Sequence, residues 1–174
     1  MEVEEAGRET LVSRMVGAAR LDPAIYRALA SDTGATAHAG GVVVVAGVAS
    51  VIGAPEVGIT GIPLGVMAGL LGWILWSTLI YLIGDKLLGG TATWGELLRV
   101  LGFAQTPGIL YVFAFLPGGV FLRTLLSVWI IVAVVVAIRE ALEFSTGKAV
   151  LTAALGFMAM VLLTALLLIP TLDG

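Results

Sequence analysis

Five apolar runs, each about as long as a bilayer is thick, divide this chain and leave it little choice of fold. They cover roughly 35–54, 62–84, 97–116, 120–138 and 149–169, and Pro117-Gly118-Gly119 separates the third from the fourth. A spanning helix needs about 20 mostly apolar residues. An open strand cannot cross lipid, because its backbone groups would go unpaired, and the runs lack the polar/apolar alternation of a membrane barrel. Charged residues are only 12% of the chain, against about 25% in a soluble domain. The predicted fold is therefore all-α: a polytopic membrane protein with five transmembrane helices in residues 35–174. Residues 1–34 are expected to form a short amphipathic cytosolic segment.

Within that segment, Leu11, Val12, Met15, Val16 and Ala19 recur at helical spacing. Asp22-Pro23 then supplies an N-cap and a first helical residue for a second short helix ending near Ala30. Both are expected to lie on the membrane surface. Arg8, Arg14, Arg20 and Arg27 interrupt the stretch, so it does not read as a cleavable signal peptide.

Basic residues set the expected orientation. With five crossings and the N-terminus inside, Arg8, Arg14, Arg20, Arg27, Lys86, Arg99, Arg139 and Lys148 face the cytoplasm and Arg123 alone falls outside. The chain is then a multi-pass cell-membrane protein whose C-terminus lies outside. A net charge of −3 with no basic face argues against a nucleic-acid partner. There is no cysteine and His38 is the lone histidine, so neither a metal site nor a cofactor is expected. Catalytic signatures also fail: Gly147-Lys148 lacks the rest of a phosphate loop, and Asp85 has no second aspartate at its depth. No enzyme activity is expected.

The densest pattern lies between the second and third runs. Thr93 and Glu96 are spaced for a capping box, Gly89-Gly90 allows a tight turn, and Trp94 suits the headgroup level. Asp85, Lys86, Glu96 and Arg99 are expected to gather around that turn, near Arg139 and Glu143, which are four apart and spaced to pair. Together they make a candidate cytosolic face for a protein partner. Anionic lipid is the close competitor, held by Lys86, Arg99 and Lys148.

Two further features lie inside the spans. Pro107 removes a backbone donor and displaces the Phe103 carbonyl, so a kink or unwinding is predicted beside Gln105 and Thr106, with Gln105 turned toward protein. Gln105, Thr106 and Pro107 form a candidate intramembrane polar site. Gly61, Gly65 and Gly69 form overlapping small-xxx-small steps for close helix packing. An internal neighbour is expected there ahead of a second copy in a homo-oligomer.

The stretch YLIGDKLLGGTATWGELLRVLGFAQTPG strongly resembles the Yip (Ypt-interacting protein) domain family in its prokaryotic form. The matching positions are Gly89, Gly90, Thr91, Thr93, Gly95, Glu96, Arg99, Gly102, Phe103, Ala104 and Pro107, and both REALEFSTGKA and LDPAIYRALA are similar to the family as well. The resemblance covers roughly 20–170. It implies a five-helix membrane domain with a cytosolic N-terminus. Eukaryotic relatives are associated with Rab-type GTPases and vesicle traffic, and residues 1–34 do not resemble their long cytosolic N-terminal region. The expected function is a non-enzymatic membrane scaffold or organising protein; the alternative is a small-solute or ion channel or transporter built on the broken third helix.

Overall fold

The structure, a computed structural model, describes residues 10–54 and 56–168. Among the described residues, seven α-helices run in chain order: α1 (Leu11–Ala19), α2 (Pro23–Ser31), α3 (Ala35–Ile52), α4 (Ile62–Tyr81), α5 (Trp94–Phe103), α6 (Gly119–Leu142) and α7 (Thr146–Leu168). A π-helical turn, Leu82–Leu87, prolongs α4, and a 3-10 helix, Thr106–Phe113, follows α5. Among the described residues, four helices are long and apolar enough to cross a bilayer: α3, α4 with its π turn, α6 and α7.

The third apolar run does not form the continuous helix its length suggests. Pro107 ends α-helical bonding, and Thr106 Oγ1 donates 2.7 Å to the Phe103 carbonyl that proline displaces. Bonding then tightens to i→i+3, with Gly108 N donating to Gln105 O at 2.8 Å. Eight residues of 3-10 helix is long for that form. α5 and this segment together follow α3 from end to end. A Cβ on Gly102 would stand 2.7 Å from the Ala39 Cβ, one on Gly108 3.4 Å from the Ala46 Cβ, and one on Gly53 1.9 Å from the Tyr111 carbonyl oxygen. Gly102 and Gly53 mark places where two backbones touch, while Gly108 meets side chains at ordinary contact distance.

The core lies toward the end of the bundle where α5 begins and α6 stops. Tyr26 and Leu29 of α2, Leu97, Leu101 and Phe103 of α5, and Ile138 and Leu142 of α6 are fully buried there. α4 and α7 contribute Ile80 and Ala149 to this core and elsewhere expose Leu64, Met67, Leu71, Phe157 and Leu162, as helices in contact with lipid do. Gly65 packs on the Val51 side chain, where an added Cβ would stand 2.5 Å from Cγ2, and Gly69 faces Val43. Gly65 thus serves the internal α3–α4 contact, while at Gly69 an added Cβ would have Val43 no nearer than 3.9 Å. Gly61 lies just before α4 and faces Val57.

α1 and α2 are docked on the bundle. Asp22 caps α2 by accepting from Ala24 N at 2.9 Å, with Pro23 as first residue. The Tyr26 hydroxyl donates to Ala18 O at 3.0 Å, and Trp129 of α6 donates its indole N–H to Ala19 O at 2.8 Å. Leu11, Val12 and Val16 remain exposed on α1. Arg14 bonds Asp32 at 2.6 Å, and that hydrogen bond holds the Asp32 carboxyl below its ordinary value of 3.8. A carboxylate whose folded-state pKa is depressed stabilises fully above the unfolded value, and the contribution is lost as pH falls through the folded one. The stability difference between wild type and Asp32→Asn is accordingly expected to be constant above about pH 4 and to vanish below it. The Asp32 side chain is 38% exposed, so the difference is under about 1 kcal/mol. Thermal midpoints between pH 6 and pH 3 measure it.

Candidate functional site

The end of the bundle that carries α2, the π turn and the α6–α7 turn is its basic end. The capping box forms there as the spacing predicts: Thr93 Oγ1 accepts from Glu96 N at 3.3 Å and the Glu96 carboxylate accepts from Thr93 N at 2.9 Å. Gly89 has φ +72, the left-handed value that favours glycine. Gly90 is needed for a different reason: a Cβ there would stand 2.5 Å from Leu142 Cδ2. Its N–H closes the π turn onto Gly84 O at 3.0 Å. Trp94 is partly exposed and donates to Thr78 Oγ1 at 3.1 Å.

Beside this turn opens a cleft of about 630 Å³, lined by Arg27 and Ser31 of α2, Thr91, Glu96 of α5, and Arg139, Glu140 and Glu143 at the end of α6. A second recess of about 340 Å³ shares Thr91, Glu143 and Phe144 with it and adds Lys148. The centre is Glu140. Its carboxylate is bracketed by Arg139, at 2.6 Å, and by Arg27 from α2, and its side chain is only 10% exposed. The cleft therefore carries a clamped Arg–Glu–Arg triad, a carboxylate committed to the helix cap at Glu96, and unclamped charge at Glu143. Lys148 sits over the Phe144 ring, 5.0 Å from its centroid.

Several predicted members are elsewhere. Arg99 is not on the face: it is 6% exposed and runs into the core. Its guanidinium donates to Leu29 O at 3.1 Å and to Ala30 O, and reaches Thr36 Oγ1 at 3.5 Å. The last carbonyls of α2 have no partner within their own helix, and Arg99 supplies one. Arg139 pairs with Glu140 and not with Glu143. The cause is local: α6 ends at Leu142, Glu143 turns left-handed at φ 56, and i,i+4 geometry is lost. Asp85 and Lys86 pair with each other at 2.8 Å in the π turn, and Lys86 lies 5.1 Å from the Tyr81 ring centroid. Lys86, Arg99 and Lys148 are thus not assembled as a phosphate-holding trio. Conversely, Arg27 and Glu140 line the cleft and were not expected to. They are 113 positions apart, and no local pattern signals their meeting.

Around Gln105 the geometry differs from the predicted polar site. Thr106 turns back onto Phe103 O and Pro107 is buried. Gln105 alone of the three faces a groove between α3 and α4, away from the basic end. At the far end, Arg123 donates to Ser50 O at 3.2 Å and lies 5.8 Å from the Tyr111 ring centroid.

Long lipid-facing helices around a small buried core define a multi-pass helical membrane protein. The family model of the Yip1 domain matches residues 25–169, from within α2 to the end of α7. The chain belongs to that family. No curated protein and no solved structure matches it.

Proposed function

We propose that the protein is a non-enzymatic membrane scaffold that docks a protein partner in the cleft at its basic end, with that end in the cytoplasm. The observation that carries this reading is the cleft itself: a 630 Å³ opening where clamped and unclamped charges of both signs meet. Mixed charge suits a peptide surface better than a phosphate headgroup, which needs converging cations. The orientation rests on the sequence: in a five-crossing path with the N-terminus inside, eight of the nine basic residues fall on the cytoplasmic side. Ten residues of α-helix and eight of 3-10 helix add to about 30 Å. That suffices for a broken fifth crossing, giving a cytosolic N-terminal segment and an outer C-terminus.

The test uses the cysteine-free background with Thr91→Cys. A membrane-impermeant maleimide is expected to label it in inside-out vesicles and not in right-side-out ones. A bifunctional crosslinker at the same cysteine is expected to capture one specific protein, and capture is expected to drop about tenfold with Glu143→Lys, an exposed position whose side chain holds no hydrogen bond or ion pair among the described residues. Labelling only from the outside refutes the orientation. Capture that ignores Glu143→Lys refutes the docking site.

A further inference from the structure

The groove between α3 and α4 follows from the local backbone. In a 3-10 helix, side chains three apart eclipse one another. Gln105, Gly108 and Tyr111 therefore form a straight row, and that row floors the groove. α4 adds one wall with Gly65, Gly69 and Gly72 at helical spacing, ending in Trp73 and Trp76, and α3 adds the other with Val43, Gly47 and Ser50. The volume is about 350 Å³, the lower range for small-ligand sites. Ala68 on the rim is exposed, so the groove opens sideways, at the depth of the spans.

No lining residue carries a charge. Trp73 spends its N–H on Leu98 O at 3.0 Å, and Tyr111 shares a hydrogen bond with Ser127 at 2.9 Å. The Gln105 amide and the Trp76 indole N–H have no hydrogen-bond partner among the described residues. Unpaired donors at bilayer depth are costly, because no water competes for them. We propose that this groove binds an uncharged lipid: its apolar tail lies along the glycine wall, and its carbonyl or hydroxyl oxygen accepts from Gln105 and Trp76. A helix of a second copy fits less well, since apolar side chains offer those donors nothing.

The experiment reconstitutes the full chain in phosphatidylcholine vesicles with a diazirine-bearing monoacylglycerol. Photolabelling is expected to concentrate on 43–51 and 65–76. Gly69→Leu is expected to reduce it at least tenfold with the thermal midpoint unchanged, because the nearest atom to a Cβ there is Val43 Cγ1 at 3.9 Å. Should that variant fail to fold, Gly72→Leu serves, a Cβ there meeting nothing within 4 Å. Gln105→Leu is expected to weaken probe competition by unlabelled monoacylglycerol about fivefold. Label spread evenly over the lipid-facing helices, or unchanged in the filled-groove variant, overturns the proposal. So does unchanged competition in Gln105→Leu, or efficient disulfide crosslinking between copies through Gly69→Cys.

Discussion

Replacing Arg99 by methionine is expected to destabilise the protein by about 3 kcal/mol, from lost charge-assisted bonds worth about 1.5–3 kcal/mol each. Methionine keeps most of the packing volume and removes every donor. The carbonyls of Leu29 and Ala30 then stay buried with nothing to accept from, at the end of a helix that offers no substitute. Arg99→Lys is expected to recover only part of the loss, since a single ammonium cannot reproduce the guanidinium fork. Thermal aggregation midpoints in detergent, read beside hydrogen exchange of α2, measure both. A methionine variant as stable as wild type, with α2 still protected, would remove Arg99 from the structural role.

The second large effect is expected at Gly53. There the end of α3 meets the 3-10 segment so closely that an alanine Cβ would stand 1.9 Å from the Tyr111 carbonyl oxygen and 3.2 Å from the Ala114 Cβ. The obstacle is backbone, which cannot swing aside as a side chain can. Gly53→Ala is expected to cost about 3 kcal/mol or more, because α3 and the segment must part. Gly72→Ala, where a Cβ meets nothing within 4 Å, is expected to cost nothing and so controls for a general intolerance of added methyl groups. Equal midpoints for the two variants would contradict the close approach.

Much of the fold was legible because hydropathy and capping are local. The apolar runs, the Asp22 cap, the Thr93–Glu96 box and the break at Pro107 all rest on neighbours within a few positions. The 3-10 form beyond Pro107 was not legible, since it goes with the glycine approaches of α3, remote in sequence. Arg99 misled for a related reason. After a capping box a charged residue ordinarily marks the solvated side of a helix, but α5 is buried on all sides from Leu97 to Phe103. At the cleft, Glu96, Arg139 and Glu143 were recognisable as charges at span ends. The clamp of Arg27 on Glu140 depends on how α2 docks.

The fastening of α2 also sets an order in time. Its carbonyls wait for Arg99, 70 positions later; the Ala19 carbonyl waits for Trp129, 110 positions later; Arg27 waits for Glu140, 113 positions later. At ~5–20 residues per second of synthesis, α1 and α2 emerge roughly ten seconds before the last of these partners exists. α1 and α2 are thus made well before the residues that lock them. Until α6 has entered the membrane, α2 has Arg99 of α5 but lacks Glu140, and α1 lacks Trp129, so both are only partly fastened and open to whatever assists insertion.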